Sequence, residues 1–257
     1  MHRMTRTGLA VFDMAGTTIA VTDAVPAAFA DAFTAAGMVV DNEAISRVRG
    51  RSKRQAVRDL IRETCDAEPE DGQVEQVLTS FRAQLRTRYA DGAVPIPGAV
   101  QTMRWFRSRE VPVVLATGFD RDLAEFLVAR LGWDGDLVTA IVADDDVRQG
   151  RPEPDLILRA MEWTATRDPS VVLVAGDTTA DLIAASKAGV GTSIGVLSGA
   201  HPRAQLIQHP HTVLLDSVAD IPEWLLSAPG VPADRNGAPG RGYHGRGTTD
   251  PAADHDT

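Results

Sequence analysis

Three aspartates in strongly apolar surroundings set the chemical question. Asp13 ends the run LAVFD, Asp177 ends VVLVAGD, and Asp181 follows four residues later in GDTTAD. Carboxylates delivered to the tips of buried strands repel one another and lose hydration, so such a cluster needs a cation. Hard oxygen donors suit Mg²⁺, which keeps several waters and is completed by a substrate phosphate. Thr117-Gly118, after VPVVLA, offers a hydroxyl and a backbone N–H to an oxyanion. Arg151, in QGRPEP, is a fixed cation ahead of a proline-defined helix start, suited to neutralise a phosphoryl oxygen or shield an attacking carboxylate. A nucleophilic carboxylate, a hydroxyl, a cation and metal ligands at four strand tips make a site for phosphoryl transfer through an aspartyl-phosphate.

The elements that must bring these residues together are legible as alternating patterns. Apolar, β-branched runs at 9–12, 111–117, 137–143, 170–177, 191–197 and 211–216 read as strands. Helical patterns at 99–109, 120–131, 154–165 and 179–189 separate them, and VADIPEWLL reads as a last helix. Strands spaced by such helices predict βαβ units and an α/β, doubly wound, mostly parallel sheet, with its site beyond the carboxyl ends of the strands. Between the first two strands the chain reads as helix and loop only, with helices over 24–36, 52–64 and 70–89. The expected organisation is therefore a core of residues 1–15 and 94–228, a small α-helical cap of 16–93, and a tail of 229–257. That tail, rich in Gly, Pro and Asp with a single aromatic residue, reads as disordered. No internal repeat, GxGxxG or GxxxxGK[ST] fingerprint is present.

Composition narrows the classes. A net charge of −9 over 257 residues argues against a general nucleic-acid binder, and 44% apolar residues permit a sizeable core. The single cysteine, Cys65, allows no internal disulfide, which fits a reducing cytoplasm. The basic start MHRMTRTG leads into an apolar run too short for a signal peptide, and no stretch is long enough to span a membrane. His201, His209 and His211 do not match a common zinc spacing and read as surface turns beside prolines.

The ordered signals VFDMAGTT, VVLATG, GRPEP and GDTTADLIAASKAG resemble the haloacid dehalogenase superfamily over about residues 7–226, specifically its phosphonatase-like branch with a helical cap inserted after strand one. The resemblance implies Asp13 as nucleophile and the Ala15 backbone carbonyl as a metal ligand. It further implies Thr117 as phosphate-binding hydroxyl, Arg151 as the base of the third motif, Asp177 as acidic metal ligand, and Asp181 as a ligand or the support of one.

Phosphatases of the superfamily usually have Asp at the position of Ala15, where it protonates the departing alkoxide and later activates water. Alanine transfers no proton. The family's exception, phosphonoacetaldehyde hydrolase, has DxAGT here and uses a cap lysine that forms a Schiff base with an aldehyde. Lys53, three residues after Gly50 in VRGRSKRQAV, has the spacing of that lysine, and the charges of Arg51 and Arg54 can lower its pKa. The same Gly-x-Ser-Lys/Arg pattern resembles cap loops of sugar phosphatases and phosphomutases, whose basic residue meets the distal part of the substrate. The phosphonatase markers of Met before the glycine and His after the lysine are replaced by Arg49 and Ala56.

The sequence therefore ranks a Mg²⁺-dependent phosphatase-type hydrolase of a small phosphorylated metabolite first. Phosphonoacetaldehyde hydrolase through a Lys53 Schiff base stands as the alternative, and a catalytically inactive binding module of the same fold as a third reading. Gly118, Arg49, Arg51 and Arg54 are expected substrate contacts, and the chain is expected to be a monomer or homodimer acting without nucleic acid or membrane.

Overall fold

The computed structural model describes residues 7–20, 24–133 and 135–227. A 6-stranded sheet lies at its centre in the order β3-β2-β1-β4-β5-β6, formed by β1 (Leu9–Asp13), β2 (Val113–Ala116), β3 (Ala140–Val142), β4 (Val172–Gly176), β5 (Thr192–Val196) and β6 (Val213–Leu215). Every pairing is parallel, with Asp13 opposite Ala116 and Phe12 opposite Ala175. The order runs outward in both directions from β1, so β1, β2 and β4 lie side by side and deliver their C-terminal residues to one crevice.

The period of two along β1 explains its central place. Leu9 and Val11 belong to a core layer shared with Val114, Leu156, Val174 and Ala184, while Ala10 and Phe12 belong to the layer on the opposite face with Met103, Phe106 and Leu173. A strand buried on both faces has to be apolar throughout, and burying a side chain such as Phe12 contributes roughly 2–3 kcal/mol.

Between β1 and β2 stand α1 (Ala24–Ala35), α2 (Asn42–Arg47), α3 (Lys53–Cys65), α4 (Asp71–Gly92) and α5 (Ala99–Arg107). Phe29 of α1 packs on Phe81 of α4, ring centroids 4.5 Å apart. This anchors the helical region predicted from the Ala- and Phe-bearing face of 24–36. The remaining helices are α6 (Arg121–Arg130), α7 (Asp155–Trp163), α8 (Thr179–Ala188), α9 (Arg203–Leu206) and α10 (Ile221–Leu226).

Several elements depart from the sequence expectation, α9 among them, since no helix is expected between β5 and β6. The third strand covers only Ala140–Val142, because the Thr139 hydroxyl accepts the Val113 N–H at 3.0 Å and so takes the place of a ladder bond. Helix α2 has too few apolar positions to show a period. It is set instead by Asp41, whose carboxylate accepts the Ala44 N–H at its N-terminus at 2.6 Å. The tail expected at 229–257 lies outside the described residues. Among the described residues no helix is long and apolar enough to cross a membrane.

Candidate active site

Asp13, Thr117 and Asp177 stand at or one residue beyond the ends of β1, β2 and β4, and all three are buried. They line one small cavity together with Ala15, Gly118, Arg151 and, from the helical region, Arg49, Gly50 and Lys53. Residues drawn from opposite ends of the sequence thus converge as the strand-tip reading expects.

Asp13 Oδ1 accepts a hydrogen bond from Arg151 Nη2 at 2.6 Å. The other arm of the same guanidinium pairs with Asp181. Arg151 is 5% exposed, and its Nε has no partner. Asp181 also accepts the Thr178 N–H at 3.1 Å and the Thr178 hydroxyl at 2.5 Å, closing the N-terminal turn of α8. Its oxygens are therefore engaged in holding Arg151 and α8, so in this geometry Asp181 supports the site from behind.

Asp177 is placed differently. Its carboxylate accepts the Ala200 N–H at 2.6 Å and the Thr17 hydroxyl at 3.2 Å, and no cation pairs with it among the described residues. Burial, and then the Asp13 charge, push its pKa up to about 7. Gly16, at φ +93°, and Gly199 press so closely on this carboxylate that a Cβ on either would collide with it. Two buried carboxylates facing one cavity, one of them with no ion-pair partner and only the more distant Arg49 charge acting on it, fit an absent hard cation. Asp13 and Asp177 offer carboxylate oxygens to this cavity, which Ala15 also lines, and substrate and water oxygens would have to complete a coordination shell. Among the described residues no cluster of three or more His, Cys, Asp or Glu side chains forms a self-sufficient metal cage.

The Thr117 hydroxyl accepts the Phe119 N–H at 3.1 Å, which leaves its own proton for an oxyanion in the cavity. Gly118 has to be glycine. A Cβ there would lie 2.7 Å from the Arg51 carbonyl and 3.2 Å from Lys53 Nζ. Lys53, the first residue of α3, donates to the Arg51 carbonyl at 3.1 Å and stands 5.3 Å from the centre of the Phe119 ring. Burial chiefly, and then the Arg151 charge, lower its pKa to about 8.

The arginines around Lys53 divide. Arg49 lines the cavity, and its guanidinium makes no hydrogen bond or ion pair among the described residues. Arg51 pairs with Asp59 at 3.2 Å and Arg54 pairs with Glu75, both on half-exposed helix surface. The expected influence of Arg51 and Arg54 on Lys53 is therefore exercised by Arg151 and Arg49, and Arg51 contributes its backbone carbonyl. Gly50, at φ +77°, lets this loop press on Thr178, where any Cβ would collide.

His201 is buried, not in an open turn. Its Nδ1 accepts the Thr179 N–H at 3.0 Å, a second hydrogen bond ties it to the Ser46 backbone, and burial lowers its pKa. This bridge carries no local sequence signal, whereas Thr178 does, as the first residue of the T-x-x-D helix-start pattern it forms with Asp181. Nor does any local signal show that Asp144, just after β3, meets Ser52 of the inserted region.

The chain matches the haloacid dehalogenase-like hydrolase family over residues 7–189. It belongs to that family. It is 27% identical to phosphonoacetaldehyde hydrolase of Latilactobacillus sakei subsp. sakei over 88% of this chain and 90% of that protein. It is 26% identical to validoxylamine A 7'-phosphate phosphatase of Streptomyces hygroscopicus subsp. limoneus over 71% of this chain and 82% of that protein. Among solved structures it resembles a hydrolase from Pseudomonas syringae with a TM-score of 0.78 and 26% identity, covering 85% of this chain and 98% of that one. Membership of this hydrolase family makes the strand-tip crevice the place to look for the chemistry.

Proposed function

We propose that this haloacid dehalogenase-like hydrolase cleaves the C–P bond of a small phosphonate whose phosphorus-bearing carbon is attached to an aldehyde or ketone carbonyl. The observation that carries the reading is Lys53: an amine of lowered pKa lines the same cavity as Asp13, while position 15, where a general acid would stand, is alanine. The likeness to phosphonoacetaldehyde hydrolase over 88% of the chain supports it. This reading reverses the order taken from sequence alone, in which ester hydrolysis came first.

In the proposed reaction the free Lys53 amine adds to the carbonyl carbon, and loss of water gives a protonated imine. A carboxylate oxygen of Asp13 attacks phosphorus as the C–P bond breaks, and the electron pair of that bond passes into the iminium, leaving an enamine. The group that leaves phosphorus is a carbon whose electron pair the iminium takes up, not an alkoxide, so the cleavage step needs no acid at position 15. Protonation of the enamine carbon and hydrolysis of the imine return the amine and release the carbonyl product. Water hydrolyses the aspartyl-phosphate to inorganic phosphate. Arg151 fixes Asp13 through their ion pair, and the Thr117 hydroxyl and Gly118 N–H face the phosphoryl oxygens. Asp13, Asp177 and the Ala15 carbonyl would hold Mg²⁺, which supplies neutralising charge to those oxygens when bound. Asp181 acts through Arg151. We assign residues 16–93 as the cap that closes over the substrate and 1–15 with 94–228 as the catalytic core.

Phosphate-ester hydrolysis is the second reading, favoured by the likeness to the validoxylamine A 7'-phosphate phosphatase and by the unpaired Arg49 in the cavity. Turnover separates the two. Release of phosphate and acetaldehyde from phosphonoacetaldehyde, inactivated by borohydride only when that substrate is present, supports the first. Turnover of phosphate monoesters with no borohydride sensitivity supports the second.

A further inference from the structure

A second, larger cavity of about 220 Å³ shares Lys53, Gly118 and Phe119 with the first. Ser52, Gly118, Phe119, Asp144 and Gly150 line it beside the lysine. The aspartates that follow β3 are not equivalent around it. Asp146 pairs with Arg121, and Asp145 accepts the Arg121 N–H at 2.9 Å. Asp144 turns toward the inserted helices, and its Oδ2 accepts the Ser52 hydroxyl at 2.6 Å. Its Oδ1 is buried with no hydrogen-bond partner, and burial raises its pKa.

Ser52 is the N-terminal capping residue of α3, its hydroxyl oxygen accepting the Gln55 N–H, and Lys53 follows it directly. The Ser52 N–H donates to the Arg151 carbonyl at 3.4 Å. Gly150 leaves no space for adjustment, since a Cβ there would lie 2.7 Å from the Ser52 Cβ and collide with Asp144. The first turn of α3 is thus held to the core at Ser52, by its N–H on the Arg151 carbonyl and by a hydroxyl that caps the helix and binds the Asp144 carboxylate together. A shift of Ser52 carries Lys53 with it, because the two are consecutive and Lys53 begins the helix.

We infer that Asp144 is a positioning residue for Lys53: by accepting the Ser52 hydroxyl it seats the first turn of α3 on the core and holds the lysine amine in the cavity that Asp13 also lines. The inference rests on the proposed role of Lys53 and extends it to a residue that touches neither substrate nor metal. Asp144→Asn keeps an acceptor oxygen for the hydroxyl, whereas Asp144→Ala and Ser52→Ala remove one partner each.

The test compares these variants and the double variant Ser52→Ala/Asp144→Ala in the full chain by three readouts. These are borohydride trapping of phosphonoacetaldehyde on Lys53, reductive methylation of Lys53 by formaldehyde with cyanoborohydride, both mapped by mass spectrometry, and the melting temperature. Trapping should fall about tenfold in each alanine variant and no further in the double, as for two groups acting through one bond. Asp144→Asn should stay within about threefold of wild type in trapping, and because the Asp144 charge also raises the Lys53 pKa, the methylation rate is read in Ser52→Ala, which keeps that charge. Wild-type trapping in Asp144→Ala, losses that multiply in the double variant, or an Asp144→Asn as impaired as Asp144→Ala with losses that follow melting temperature would overturn the inference. If the wild type itself traps no aldehyde, the Lys53 chemistry fails and methylation decides the seating. A changed rate at unchanged melting temperature sustains it, and an unchanged rate overturns it.

Discussion

The guanidinium of Arg151 donates to Asp13 Oδ1 at 2.6 Å while its other arm pairs with Asp181, so one buried side chain ties the tip of β1 to the start of α8. A planar fork can serve two carboxylates at once, and an ammonium on a flexible stem cannot hold both in place. Arg151→Lys should therefore keep the fold and lower kcat/KM by about 10²–10³, read by steady-state phosphate release. Arg151→Ala should in addition lower stability by about 3–5 kcal/mol in urea unfolding, because two buried carboxylates lose their cation. A lysine variant with unchanged turnover would remove Arg151 from the account.

Asp177 links metal and pH. Its pKa is raised to about 7, so in the metal-free protein the folded state favours the protonated acid. That contribution to stability is complete below the ordinary carboxylate range, near 3.8, and is lost as pH rises toward 7. A cation held by the ionised acid, as proposed for Mg²⁺, should raise the melting temperature more at pH 8 than at pH 5.5. Asp177→Asn should abolish the Mg²⁺-dependent shift at both values. A shift of equal size at both pH values, or one that survives Asp177→Asn, would place the cation elsewhere.

How far the sequence foretold this arrangement depends on the range of each signal. Strand runs, their helical spacers and the strand-tip residues Asp13, Thr117 and Asp177 are local patterns, and the sheet gathers them because parallel strands bury both faces. The engagement of Asp181 with Arg151 was not legible, since it joins residues 30 apart through a capped helix turn. Nor was the division among the loop arginines. Which of Arg49, Arg51 and Arg54 faces the cavity depends on where α3 docks, and that is fixed by Gly50 against Thr178 and Ser52 against Asp144. The burial of His201 escaped for the same reason, because its partners Thr179 and Ser46 lie on different elements. A lone histidine beside a proline gives no sign of either.

Lys53 should report its surroundings directly. With its pKa lowered to about 8, the ammonium loses its proton near that pH, where an exposed lysine would still be charged. The rate of imine trapping should therefore rise with pH through a midpoint near 8 and then level off. A midpoint near 10.5, the ordinary lysine value, would show an amine that is solvated and unprepared for attack.

The central claim is that the Lys53 amine, which lines the same cavity as Asp13, forms a covalent imine with the substrate. Incubating the protein with phosphonoacetaldehyde and borohydride, digesting it and sequencing the modified peptide by mass spectrometry tests that claim at the level of a bond. The account predicts one reduced adduct, on Lys53, that disappears in Lys53→Arg and in a control without substrate. An unmodified Lys53 in a protein that still releases phosphate from phosphonoacetaldehyde would contradict it.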